Sequence, residues 1–284
     1  MGRFVIRPNR APRYHLGMNR TAVVTGASSG IGRAVAAALV ARGYRVIGTS
    51  RNPDSMTDAQ RLTGVEYRAL DLTETASISS FVAELGDVDV LVNNAGESQS
   101  GPFEELPTEA IERLFQLNVF GAVTLSQSVI PGMRERGYGR IVMVGSMLAS
   151  FPLAYRSSYA STKAAIKGFS DAARLELSPF GVWMTTVEPG SINTGISERR
   201  SKYIAPDSIH REDFHTTISS LDRKEGSGIS AEEVAEVVLK AIEADKPKPL
   251  YARGSNAPVV FLARRLLPAT FMEKTIAKMF GLKR

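Results

Sequence analysis

The stretch that most restricts this chain is Thr25-Gly-Ala-Ser-Ser-Gly-Ile-Gly32, set between a β-branched run and an apolar helical pattern. Gly26 permits a sharp turn, Gly30 lets the backbone approach a pyrophosphate, and Gly32 allows a helix to pack closely. Such a loop needs a strand before it and a helix behind it, whose first N–H groups are free to face an anion. The same letters, Gly26-Ala-Ser28-Ser-Gly30, also fit GxSxG, the nucleophile elbow of a hydrolase. That alternative needs a downstream acid and histidine, and only His210 and His215 follow, both in a polar stretch.

Elsewhere the chain repeats the same strand-then-helix order. Strand-like runs fall at 21–25, 45–49, 66–70, 89–92, 140–144, 182–187 and 249–252. Helical patterns fall at 30–42, 74–85, 108–135, 156–178 and 230–243, with Gly43 and Pro179 as stop signals. Apolar strands alternating with helices predict a doubly wound, Rossmann-type α/β fold with a parallel sheet of about seven strands and helices on both faces. Ligands bind such sheets at the carboxyl ends of the strands.

Composition narrows the classes further. The chain is 43% apolar and 23% charged without repeats, which suits one globular body over 20–257. It contains no cysteine, which excludes disulfides, thiolate metal sites and cysteine nucleophiles and agrees with a reducing, cytoplasmic setting. Basic residues concentrate at the ends. Residues 1–20 carry +5 and 258–284 another +5, so a total of +6 leaves the body between them at −4. A nucleic-acid-binding face needs basic residues on the folded body and is not expected. Residues 1–19 predict a flexible basic arm, and no apolar run reaches the roughly 20 residues that span a bilayer.

The second strand ends in Gly48-Thr-Ser50-Arg51, with no acid before Asp54. An acid at that position would accept from a free ribose 2′-hydroxyl, whereas an arginine pairs with a 2′-phosphate. NADP is therefore expected as cofactor in preference to NAD. Further on, Tyr159 and Lys163 stand one helical turn apart, on one face. A nearby cation favours phenolate and lowers a phenol's pKa from its ordinary value near 10.

Taken together, "TGASSGIG", "DLT" (71–73), "NNAG" (93–96), Asn118, Ser146, Tyr159, Lys163 and "PGSINT" (189–194) resemble the short-chain dehydrogenase/reductase family. The resemblance implies hydride transfer between a nicotinamide cofactor and a carbonyl or alcohol. Tyr159 is the implied proton donor and acceptor, Ser146 holds the substrate oxygen, Lys163 holds the nicotinamide ribose, and Asn118 maintains a water relay. An asparagine inside "LFQLNVFGAV" is a poor helix former, and a kink there would suit that relay. The cofactor residues implied are Gly26, Ser28, Ser29, Gly30, Ile31, Gly32, Ser50, Arg51, Asp71, Leu72, Asn93, Ala95, Gly96, Tyr159, Lys163, Pro189, Gly190 and Thr194. Family members commonly pair through their long helices, so a homodimer or homotetramer is implied. A nucleotide-sensing regulator on the same fold is the competing class, but it could dispense with Tyr159 and Lys163.

Three stretches address the substrate. The apolar run "MLASFPLAYR" (147–156) suits a wall for a lipophilic ketone or aldehyde. The polar, weakly periodic 195–228 reads either as a mobile lid or as a surface insertion. In the tail 258–284, Met272, Ile276, Met279 and Phe280 make one helical stripe from Ala269 onward, beside Lys274 and Lys278. The stripe suits either peripheral contact with a membrane surface or packing on the protein's own substrate lobe or on a partner subunit.

Overall fold

The computed structural model describes residues 20–282, so the flexibility expected of the 1–19 arm lies outside the described residues. The chain opens with β1 (Thr21–Val24), α1 (Gly30–Ala41), β2 (Arg45–Ser50), β3 (Val65–Ala69), α2 (Thr75–Ala83) and β4 (Val90–Asn93). Next come β5 (Gln99–Ser100), α3 (Thr108–Phe115), α4 (Gly121–Glu135), β6 (Gly139–Val144), α5 (Met147–Ser150), α6 (Ser157–Leu177) and β7 (Val182–Pro189). The rest comprises β8 (Ser201–Lys202), α7 (Arg211–Gly226), α8 (Ala231–Glu243), β9 (Leu250–Arg253), α9 (Ala257–Leu266) and α10 (Ala269–Met279).

Seven strands form one parallel sheet in the order β3-β2-β1-β4-β6-β7-β9, so the doubly wound α/β expectation holds. Its register sets Val23 beside Ile47 and Leu91, Leu91 beside Ile141, and Ile141 beside Met184. That row packs with Phe81, Leu125, Met133 and Ile166 of α2, α4 and α6. The alternate residues Ala22, Val24, Val46, Val92 and Val142 pack with Val35, Leu39, Val238 and Ile242 of α1 and α8. Strand side chains alternate between faces, so a sheet covered on both sides needs apolar residues at nearly every position. β1 lies between β2 and β4, and the chain leaves it first toward β3 and later toward β9. The loops after β1 and β4 diverge there and leave a crevice at the carboxyl end of the sheet.

Two regions depart from the sequence-based expectation. The polar segment 195–228 contains α7 over 211–226, while 195–210 holds no regular element beyond the short β8. Phe214, Thr217, Ile218 and Leu221 are buried at helical spacing, while Glu212 and Asp213 open the helix and Arg223 and Lys224 close it. A threonine inside the buried stripe hides the period from a hydropathy reading. The tail forms two helices, of which α9 begins well before Ala269. Met272 and Ile276 of α10 pack against Met147, Phe151 and Ala257, so that part of the stripe lies on the protein itself, while Met279 is exposed.

Replacing Phe214 with Ala should cost about 3–5 kcal/mol, the usual range for truncating a buried phenylalanine. Urea unfolding measures this, and a loss below about 1 kcal/mol would show that α7 does not share the core's stability.

Candidate active site

The crevice is a cleft of about 1090 Å³ whose walls come from the ends of β1, β2, β4, β6 and β7 and from α5, α7 and α10. At one end, Gly26 and Gly30 take φ of 67° and 52°, in the left-handed region open to glycine. A Cβ on Gly32 would meet the Gly26 carbonyl oxygen at 2.3 Å, which is the close packing expected of that position. Ser29 caps α1 without a side-chain hydrogen bond, and the first turn holds no acid. With Ser28, Ser29, Gly30 and Ile31 lining the cleft, free N–H groups and a positive helix end meet any anion bound there. The site therefore fits a phosphate-bearing cofactor.

A side-chain knot fixes this loop to the sheet. Thr25 Oγ1 accepts hydrogen bonds from the backbone N–H groups of Asn94 and Ala95, both at 2.9 Å. Asn94 Nδ2 donates back to the Thr25 carbonyl at 2.9 Å. Ser50, Arg51, Asp71, Leu72, Ala95, Gly96, Pro189, Gly190 and Thr194 all line the cleft as expected. Asn93 is a correction, because its side chain turns away from the cleft. It is buried and donates to Ser126 Oγ at 2.9 Å, so it serves the core beneath the site. Arg51 is 71% exposed and sits 3.6 Å from Glu97, which also pairs with Arg113. Glu97 and Arg113, absent from the sequence reading, thus place a second cation beside Arg51 in the cleft wall.

Asn118 sits in a π-helical turn, Gln116–Phe120, between α3 and α4. The kink expected from a helix-averse asparagine is present in this form. Its Oδ1 accepts from the Glu97 N–H at 2.9 Å and its Nδ2 donates to the Glu97 carbonyl at 3.0 Å. Asn118 does not itself line the cleft; it props the loop after β4 from behind.

Tyr159 and Lys163 are both buried in the first turns of α6 and both reach the cleft wall. Ser146 caps α5, accepting from the Leu148 N–H at 3.2 Å, and lines the same wall. Burial pushes the Tyr159 phenol above its ordinary value. The Arg156 guanidinium is the main opposing influence; Ser146 and Arg200 also lower it, while Glu225 raises it further. Arg156 is also nearer to the phenol ring than Lys163 is. Lys163 Nζ donates to the Val144 carbonyl at 3.0 Å and stands 5.7 Å from the phenol ring centre, whereas Arg156 lies 4.4 Å from that centre. Burial brings Lys163 down to about 8, so it is mostly charged at neutral pH. The sequence reading missed Arg156, although an arginine closing the apolar run 147–156, three residues before Tyr159, was the available signal.

The far wall is apolar, with Met147, Leu148, Phe151, Val260, Ile276 and Phe280. The hydrolase alternative finds no support in the cleft, since neither His210 nor His215 lines it and His210 Nε2 lies 3.0 Å from Glu104.

The model of the short chain dehydrogenase family matches residues 20–204. Over 276 residues the chain is 34% identical to the uncharacterised oxidoreductase YusZ of Bacillus subtilis, covering 91% of this chain and 98% of that one. It is 27% identical to a 3-ketodihydrosphingosine reductase of Bacteroides thetaiotaomicron, over 92% and 98% of the two chains. A short-chain dehydrogenase of Burkholderia cenocepacia solved with NADP superposes with a TM-score of 0.73 at 25% identity, over 91% and 98%. With the parallel sheet, the glycine cradle and the Ser146–Tyr159–Lys163 wall in one cleft, the chain belongs to the short-chain dehydrogenase/reductase family of oxidoreductases.

Proposed function

We propose that this protein transfers a hydride between NADP(H) and a lipophilic ketone, aldehyde or alcohol, with Tyr159 as general acid and base. The observation that carries the reading is one cleft joining an anion cradle, the Tyr159–Lys163–Ser146 cluster and an apolar wall. NADP(H), when bound, supplies the hydride. The N-terminus of α1, with Ser28 to Ile31, takes the pyrophosphate, and Gly26 and Gly32 shape the turn. Arg51, beside Ser50, turns from Glu97 to the 2′-phosphate. Asp71 and Leu72 bracket the adenine, Ala95 and Gly96 line the path, and Pro189, Gly190 and Thr194 hold the nicotinamide amide. Lys163 binds the ribose hydroxyls. Ser146 donates to the substrate oxygen, and Tyr159 gives that oxygen its proton in reduction or removes it in oxidation. Asn118 holds the loop and helix that align them.

The substrate's apolar part lies against Met147, Phe151, Val260 and Ile276. Phe120, Phe169, Leu175 and Phe180, exposed on or beside the long helices, support pairing into a homodimer or homotetramer. No helix of the described residues is long and apolar enough to cross a membrane. Val259, Leu262, Leu266 and Phe271 are nevertheless exposed on α9 and α10 among Arg264, Arg265, Lys274 and Lys278. Two copies meeting through this face would bring like charges together, so we assign it to an anionic lipid surface. There each cation adds about 1 kcal/mol. Through that contact, lipophilic substrate reaches the apolar wall of a protein otherwise free in the cytoplasm.

Tyr159→Phe should reduce NADPH-dependent turnover of a panel of lipophilic ketones at least about a hundredfold while NADPH affinity stays near wild type. Retention of more than about a tenth of the turnover would remove Tyr159 from the chemistry. Replacing Ser50 with Asp and Arg51 with Ala should weaken NADPH binding by roughly tenfold to a hundredfold and favour NADH. Equal efficiency of the unaltered enzyme with both cofactors would refute the 2′-phosphate assignment. In co-sedimentation, phosphatidylserine vesicles should capture the protein, less so as salt rises, and Leu262→Asp with Leu266→Asp should release it. Absence of binding at low salt would end the membrane reading.

A further inference from the structure

Beside Tyr159, in the cleft wall, lies a buried charge cluster that the reaction described above does not use. Arg156 is 2% exposed, yet its hydrogen-bond acceptors are neutral: Nη1 donates to the Gln99 carbonyl at 2.8 Å and Nη2 to Ser98 Oγ at 2.9 Å. Among the described residues it makes no salt bridge. Arg200, also buried, donates from Nε to the same Ser98 Oγ at 3.4 Å, and it does have carboxylates, Asp222 and Glu225 of α7. One guanidinium is thus paired and the other is not. A buried cation without a counter-ion is a costly arrangement, and a hydrophobic residue there would pack at lower cost. The remaining large contact of Arg156 is the face of the Tyr159 ring, 4.4 Å from the guanidinium carbon to the ring centre.

We propose that Arg156 is a positioning residue for proton transfer, its guanidinium stabilising the negative charge that spreads into the Tyr159 ring when the hydroxyl proton departs. This rests on the reading of Tyr159 as the acid and base. In the reductive direction the phenol O–H bond breaks, the proton joins the substrate oxygen, and the electron pair stays on the phenolate. A cation over the ring attracts a neutral phenol weakly through its quadrupole and a phenolate far more strongly through its full charge. The charged groups facing the ring are Arg156, which precedes α6, Lys163 from α6, Arg200 from the segment after β7, and Glu225 from α7, with Asp222 behind Arg200. Burial works against the charge on Arg156, but a guanidinium stays protonated even when buried, so the cation persists through the pH range of the Tyr159 step. Glu225 acts on the phenol in the opposite sense.

The test follows tyrosinate ultraviolet absorbance in full-length protein, milliseconds after alkaline pH jumps and so ahead of unfolding. The same signal from Tyr159→Phe is subtracted to isolate one tyrosine. Arg156→Met should move the Tyr159 step up by about one pH unit or more, a tenfold change in proton affinity. Arg156→Lys should retain most of the wild-type position, which a merely structural role for the guanidinium would not explain. A step left at the wild-type pH in Arg156→Met would overturn the proposal. Should that variant not fold, Glu225→Gln decides: a downward step supports control of the phenol by this cluster, and an unmoved one overturns it. Because no substrate is used, failure here is separable from failure of the assigned chemistry, which the turnover of Tyr159→Phe reports.

Discussion

The geometry of the site depends on how two loops are held at the point where the strand order reverses. Parallel strands end there with no partner for the next N–H groups, and a loop that supplies none would leave buried donors unsatisfied. Thr25 resolves this with a single hydroxyl, which accepts from Asn94 and Ala95 and donates to the Val92 carbonyl at 3.4 Å. Asn94 returns the contact to the Thr25 and Gly26 carbonyls. The glycine cradle after β1 and the wall after β4 are thereby one rigid unit. No residue of this knot need touch a reacting atom, yet the position of the free N–H groups at the start of α1 follows from it.

A second constraint is carried by the π-helical turn. Adding a residue to a helical turn frees a backbone position and rotates the side chains that follow. Here it brings Asn118 to bear on both polar groups of the Glu97 backbone and, at 3.3 Å, on Thr162 of α6. The loop after β4 and the helix bearing Tyr159 and Lys163 are thus tied through one amide. A Cβ on Gly96 would sit 2.9 Å from Asn118 Oδ1 and 3.7 Å from Lys163 Nζ, which shows how closely the three elements converge.

Much of this was legible in the sequence because periodicity and glycine placement act locally. Every strand of the main sheet falls within a residue or two of its expected place, and the cleft gathers nearly all the cofactor residues that the resemblance implied. What escaped depends on contacts between distant segments. Asn93 and Asn94 are adjacent and chemically identical, and only the pleat sends one into the core and the other to the loop. The helix over 211–226 was hidden by Thr217, a polar residue that tertiary packing buries completely. Arg156 and Arg200 were not singled out, because the groups that enclose them, Ser98, Asp222 and Glu225, come together only in the fold.

The division of labour within the fold follows from chain order. The glycine cradle and Ser146 follow strand ends, and Tyr159 and Lys163 sit in the first turns of α6, whose Ile166 packs in the core against the sheet. Part of the cleft wall comes from α7, α9 and α10, which lie outside the sheet; α9 and α10 pack against Met147 and Phe151 and beside Ala252 of β9. Substitutions on these late helices can therefore alter what enters the cleft without displacing Tyr159 or the glycine cradle. Asp222 and Glu225 are the exception, because through Arg200 and Ser98 they reach the guanidinium that lies on the Tyr159 ring. Glu225 also lines the cleft, so a change there bears on the cleft wall and on the Tyr159 phenol together, whereas Asp222 lies behind Arg200.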